Sequence, residues 1–329
     1  LKKSTLPSLS ASELTAVVKE ILPEHLKKED KPREEIDFSH FEEGIGRFRA
    51  SVFISRYIPT LTFRYVKSHI PSFSEVHLPP VLKKLGLIHS GIILVCGPTN
   101  SGKSTTLAVF IQTINKSRLI RIITIEDPVE YIFEDIESVI TQREVGLDTP
   151  SLSSALKHIL RQDPDVIMIG EMRDQLSMSV AVSAAETGHV VFSTLHADTA
   201  SQAVLRILSF FPAAERLQTL MSLATTLKSI ICQRLVPAIS GGVRPAVEIL
   251  VNTPTVHTLL LENKLEMIHA AIETGREDGM QTFNQSLYDL VRAGEINQES
   301  ALASSPNPEA LKMNLQGIFL DEERRILKK

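Results

Sequence analysis

Gly97-Pro98-Thr99-Asn100-Ser101-Gly102-Lys103-Ser104 is the stretch that decides the fold. It fits G-x-x-x-x-G-K-[ST], and its surroundings fit as well: residues 92–96 form a short apolar strand pattern before it, and 104–115 a helical pattern after it. Such a loop wraps successive backbone N–H groups around a β-phosphate, and the helix that follows adds its N-terminal dipole. Lys103 would bridge the β- and γ-phosphates, and the Ser104 hydroxyl would complete a magnesium shell. Asn100 stands where many such loops carry glycine. Asparagine tolerates a left-handed backbone better than most residues, so the loop should keep its form.

Working outward, strand patterns at 119–125, 166–170 and 190–195 alternate with helical patterns at 152–160 and 175–186. Strands separated by helices imply an α/β fold with a parallel sheet and right-handed crossovers. Glu126, Asp127, Glu171 and His196 all follow strands directly, at the carboxyl ends where open α/β sheets bind ligands. Taken singly, each would read as a helix cap, a surface ion pair or a structural histidine; their convergence on one edge singles them out. Hydrolysis of a nucleotide needs one carboxylate for the metal and another to position water. Gly170 holds the place where the general Walker B pattern has Asp, so Glu126 is the evident source of a second carboxylate beside Glu171. His196 and His189 could hydrogen-bond a γ-phosphate directly or through water. A hairpin is expected around Ser240-Gly241-Gly242, between 235–238 and 246–251. Cys96 reads as a buried core thiol, and so does Cys232, in what looks like a helical apolar run.

Toward the N-terminus, Ser10 and Glu13 have capping-box spacing, ahead of Leu14, Val17, Val18, Ile21 and Leu22 on one helical face. Residues 24–37 carry mixed charge and read as a solvated helix face or loop. Phe48, Ala50, Val52 and Ile54 alternate with Arg47, Arg49, Ser51 and Ser55; Leu61, Phe63 and Tyr65 alternate with Thr62 and Arg64. Period two means strands, and it puts Arg49 and Arg64 on polar faces. Pro71, Pro79 and Pro80 then punctuate the chain. The expected division is a small domain over 1–75, a linker over 76–82 and a larger domain over 83–329. Beyond Pro254 come short helices and a charged tail.

Composition narrows the classes. At ~150 residues per domain, 329 residues suggest about two domains. With 43% hydrophobic and 22% charged residues the mix is that of a globular protein. A net charge of −4 and 5% aromatic residues give neither a phosphate track nor a stacking platform, which argues against a nucleic-acid motor. Two cysteines cannot build a four-cysteine zinc site. No apolar run reaches the ~18 residues of a membrane span. The chain opens at Leu1 without a secretion-signal pattern, which suits a trimmed cytoplasmic protein.

Four boxes in order carry a resemblance: Gly97 to Thr105; Thr124-Ile125-Glu126-Asp127-Pro128-Val129-Glu130; DPDVIMIGEMRD from Asp163; and TGHVVFSTLH from Thr187. They are similar to the Walker A, Asp, atypical Walker B and His boxes of the type II/type IV secretion ATPase superfamily. Gln142-Arg143-Glu144-Val145-Gly146 and Gly279-Met280-Gln281-Thr282 resemble its PilT-like pilus-retraction ATPases more closely. The resemblance implies a PAS-like α+β N-terminal domain and a RecA-like C-terminal domain in a hexameric ring. It implies ATP and magnesium as cofactors, which the loop alone does not choose over GTP. Glu126 would be the catalytic base and Glu171, with Ser104, would serve the magnesium. Arg49 and Arg64 would reach the nucleotide from the N-terminal domain, with Arg56 a weaker candidate. The implied activity is ATP hydrolysis powering pilus retraction through an inner-membrane platform protein and other pilus-machine subunits, from the cytoplasmic face of that membrane. Three departures stand out: about 30 residues usual before Leu1, Asn100, and TVHTLLLE at 255–262 where retraction ATPases carry AIRNLIRE. A paralogous assembly ATPase or a weakly active regulatory subunit are the alternatives these departures leave.

Overall fold

The computed structural model describes residues 7–24, 26–27, 35–66 and 69–318. Much of the mixed-charge run at 24–37 and all of the charged tail from 319 lie outside the described residues. The chain divides into two units. The first spans Leu1–His69 and takes in Pro128–Ile132; the second spans Ile70–Asp127 and Phe133–Lys329. A short piece of the Asp box thus belongs with the N-terminal unit, which a continuous division of the sequence does not anticipate.

The first unit holds helix α1 (Ala11–Ile21) and strands β1 (Ile36–Glu42), β2 (Gly46–Ser55) and β3 (Ile58–Val66). The capping box at Ser10 and Glu13 forms as expected. The strands make an antiparallel sheet in sequence order. β1 was not anticipated, because it emerges from the charged run. One face carries Phe38, Ala50 and Val52, packed under Val18 and Ile21 of α1 and Leu22 just after it. On the other face Arg49 lies directly opposite Arg64 in the β2–β3 register. Arg56 sits instead at the tip of that hairpin, with φ 51.

The second unit opens with α2 (Pro80–Gly86) and then alternates: β4 (Gly91–Cys96), α3 (Lys103–Asn115), β5 (Arg121–Glu126), β6 (Val139–Glu144), α4 (Leu152–Ile159), β7 (Val166–Ile169), α5 (Gln175–Glu186), β8 (Val190–Leu195), α6 (Ala200–Ser209) and α7 (Arg216–Thr226). A hairpin of β9 (Leu227–Pro237) and β10 (Val243–Val251) follows. Five short helices close the unit: α8 (Pro254–Leu261), α9 (Ile268–Thr274), α10 (Phe283–Arg292), α11 (Gln298–Ser304) and α12 (Pro308–Leu315). The sheet order is β10-β9-β4-β8-β7-β5-β6, parallel throughout except for β10. Every residue of β4, β7 and β8 is buried, as expected of strands covered on both faces. Phe110 of α3 stacks on Phe192 of β8 at 5.5 Å.

Cys232 corrects the sequence reading. Its apolar run is the middle of β9, not a helix, and Cys232 pairs with Cys96 across β9 and β4. A fully apolar run of this length does not distinguish strand from helix by period. Burial and the neighbouring Cys96 push the Cys232 thiol well up, so it stays protonated and inert.

Candidate active site

Every strand that precedes a predicted site residue runs parallel to its neighbours, so their carboxyl ends share one edge of the sheet. Gly97 follows β4, Glu126 ends β5, Gly170 and Glu171 follow β7, and His196 follows β8. The order β9-β4-β8-β7-β5 puts the loop strand inside the sheet, with β5 reached by crossing over β8 and β7.

The loop has the backbone its residues foretell. Gly97, Asn100 and Gly102 have φ of 145, 64 and 88, so Asn100 takes the left-handed conformation that glycine usually supplies. Gly102 is the N-cap of α3 and offers no side-chain cap, which leaves the helix terminus to a ligand. Pro98 and Thr99 are exposed, while the Ser101 hydroxyl is buried and has no hydrogen-bond partner among the described residues. The Lys103 ammonium donates to the carbonyls of Gly97 (2.9 Å) and Pro98 (2.8 Å) and so lies across the loop. Ser104 and Thr105 are half-buried in the first turn of α3. A cation on the loop's own carbonyls and a helix terminus with no side-chain cap suit a polyphosphate, which gives the lysine stronger acceptors.

Glu126 is buried. Oε1 accepts from the Thr124 hydroxyl at 2.7 Å and from Gln142 Nε2 at 3.1 Å. Gln142 stands opposite Thr124 in the β5–β6 register, and its Oε1 accepts the Phe133 N–H at 2.9 Å. One amide thus fixes both the carboxylate and the return of the loop after the Asp box. Sequence reasoning quoted Gln142 only as part of a family motif; an amide at the end of an edge strand gives no sign of its partner.

Glu171 is less buried and is held from two sides. Arg173 donates to Oε2 through Nε and Nη2, both at 2.8 Å, and reaches Asp127 at 3.5 Å. His196 Nε2 lies 3.5 Å from Oε1. The bidentate contact pushes the Arg173 guanidinium up further, so it remains charged. Arg173 was missed because a charge four residues past the end of β7 reads as surface.

Gly170 explains the departure from the general Walker B pattern. Its N–H donates to the Ile125 carbonyl at 2.8 Å, and a Cβ there would lie 3.3 Å from that oxygen and 3.4 Å from the Glu126 Cα. The ends of β7 and β5 approach closely here, so a side chain at 170 would need the backbone of β5 to give by a few tenths of an ångström.

His189 does not join this group within the chain. It precedes β8 while His196 follows it, and six strand residues separate them by about 20 Å. Its Nδ1 lies 2.9 Å from the Ala184 carbonyl and 3.0 Å from the Thr187 hydroxyl, where it caps the turn after α5. Arg49 and Arg64 belong to the first unit, where Arg49 makes a 3.4 Å contact with Asp37.

For magnesium the expected donors are the Ser104 hydroxyl and the Glu171 carboxylate, both oxygen ligands of the kind the ion takes. That set suits an ion that arrives on a polyphosphate and keeps most of its shell.

Fold and site together define a P-loop nucleoside triphosphatase. The chain belongs to the family described as "Type II/IV secretion system protein", which it matches over residues 72–295, and it is a P-loop ATPase of that family. It is 42% identical over 313 residues to the type IV pilus ATPase PilU of Pseudomonas aeruginosa, covering 95% of this chain and 82% of that one. It is 38% identical to the type IV pilus retraction ATPase PilT of the same organism, covering 94% of this chain and 90% of that one. The solved structure of the pilus retraction motor PilT with bound ADP superimposes with a TM-score of 0.85 at 41% identity, over 91% of this chain and 85% of that one.

Proposed function

We propose that the chain hydrolyses ATP to power retraction of a type IV pilus. It works as a homo-hexamer on the cytoplasmic face of the inner membrane, against a platform protein and other subunits of the pilus machine. No helix of the described residues is long and apolar enough to cross a membrane. The observation that carries the reading is the shared edge of Lys103, Glu126, Glu171 and His196 in a chain whose relatives, over nearly its whole length, are pilus ATPases.

Each residue has a role. The loop N–H groups and Lys103 bind and orient the phosphates. Ser104 and Glu171 would hold magnesium, which when bound would supply positive charge against the phosphates. Glu126 takes a proton from water, its carboxylate fixed by Thr124 and Gln142. Arg173 and His196 orient Glu171. Arg49 and Arg64 complete the site of a neighbouring subunit, so that closure couples binding to movement. His189 has no part at the phosphates.

Glu126→Gln tests the base. It should keep ATP affinity and lose turnover by about 10²–10⁴-fold. Retained turnover would remove Glu126 from that role.

One observation favours a second reading, a paralogous ATPase of the same machine. TVHTLLLE forms α8, whose Val256 and Leu260 are buried, and it carries none of the arginines of AIRNLIRE. The similarity to PilU points the same way. Twitching measured in cells lacking this chain, with and without AIRNLIRE grafted at 255–262, separates the two.

A further inference from the structure

β9 runs beside the phosphate loop, and its Gln233 follows the Cys96–Cys232 pair directly. The side chain is 3% exposed and uses both ends of its amide. Nε2 donates to the Ser101 carbonyl at 2.7 Å, and Oε1 accepts from the Thr106 hydroxyl at 2.7 Å. The amide's orientation is forced, since a carbonyl can only accept. The backbone is as close as the side chain: a Cβ at position 97 would lie 2.4 Å from the Gln233 carbonyl, and one at 102 would lie 2.7 Å from Nε2. Two of the loop's glycines therefore make room for this one residue.

In a trans peptide the C=O and the next N–H point in opposite directions. Fixing the Ser101 carbonyl on Gln233 turns the Gly102 N–H the other way, away from β9. Gly102 is the N-cap of α3, where the loop's N–H groups must gather on one side to hold an anion. The Ser101 hydroxyl makes no bond, so among the described residues Gln233 is the side chain that anchors Ser101 to β9. We propose that Gln233 is a positioning residue of the phosphate loop, which locks the Ser101–Gly102 peptide in its anion-binding orientation, with Thr106 holding the amide in place. The proposal rests on the loop's being the nucleotide site.

The test compares Gln233→Met, Gln233→Glu, Thr106→Val and Thr106→Ser in the full chain. Fluorescent ADP reports affinity, and ATP turnover gives KM and kcat separately. Gln233→Met fills the volume but leaves a buried carbonyl unmet; it should weaken ADP binding and raise KM by about 10–100-fold, with kcat at saturation within about threefold. Gln233→Glu keeps the acceptor for Thr106 but sets a carboxylate against the Ser101 carbonyl, and should bind more weakly still. Thr106→Val should show a smaller KM effect that Thr106→Ser reverses. Hydrogen exchange at the Gly102 amide should speed up in Gln233→Met. Wild-type affinity and KM in Gln233→Met, with only a lowered Tm, would make Gln233 an ordinary core residue and overturn the proposal. Should Gln233→Met fail to fold, the Thr106 pair decides by the same KM criterion. Lys103→Ala separates the two layers: if it binds ADP normally, the nucleotide-site reading fails; if it does not, the Gln233 result stands alone.

Discussion

The two sheets of this molecule solve the same problem with unequal means. The seven-stranded sheet is covered on both faces, and its strands β4 and β7 read as unbroken apolar runs. The candidate chemistry lies at the carboxyl ends of its parallel strands. The three-stranded sheet buries Phe38, Ala50, Val52 and Val66 and leaves Phe63 and Tyr65 about half exposed. Its other face is lined by Arg47, Arg49 and Arg64. A large sheet can afford a site made by its topology alone. A small one presents surface, and its arginines matter only through what they meet.

The largest contrast is in stability. Phe192→Ala removes a fully buried ring from the centre of the large sheet and should cost about 3–5 kcal/mol, enough to threaten the whole second unit. Phe38→Ala removes a similar ring from the small core. It should melt the first unit while the second keeps its unfolding transition and its ADP affinity. Calorimetry with and without ADP distinguishes the two. A single shared transition in both variants would show that the units do not fold separately.

Next comes the arginine face. Arg49→Ala and Arg64→Ala should each lower turnover by about 10²–10³-fold while ADP binds as before, the cost of losing one charged donor from a transition state. Mixing either variant with Lys103→Ala chains should restore part of the activity, because each supplies what its neighbour lacks. No restoration at any mixing ratio would mean that the arginines act within their own chain or only in their own sheet.

Legibility follows the same divide. The loop, its strand and its helix were readable because their residue types are constrained at nearly every position. Glu126, Glu171 and His196 were readable because a parallel sheet gathers strand ends. β1 was hidden by the charges that lead into it, and β6 by a polar sequence, Val139–Glu144, that reads as a loop. His189 was grouped with His196 by nearness in sequence, although a six-residue strand sends them to opposite edges. Gln142, Arg173 and Gln233 act through partners 16, 2 and 132 residues away, and only Arg173 had its partner in view. Local pattern reports a residue's own conformation; it says little of what a long polar side chain will reach.

Glu248 gives the smallest effect and the finest test of the contrast. It is buried beside the large sheet, where Oε1 accepts the Ala200 N–H at 2.8 Å. Burial pushes its carboxyl above the ordinary range, and the Ala200 N–H, His269 and Arg234 only partly oppose this. A carboxyl raised in the folded state binds its proton more tightly there than when unfolded. Its cost to stability is therefore absent below the ordinary carboxylate value, grows as pH rises from that value to the raised one, and is constant above it. Glu248→Gln keeps an oxygen for Ala200 and cannot ionise. It should raise Tm by about 2–4 °C at pH 8, the shift expected for roughly 1 kcal/mol, and by nothing near pH 4. Asp37→Asn in the small sheet removes a carboxylate that is more than half exposed and paired with Arg49 at 3.4 Å, so it should move Tm little at either pH. Equal shifts at both pH values for Glu248→Gln would mean that the carboxyl is solvated in the folded protein, and that the large sheet buries less charge than its strands suggest.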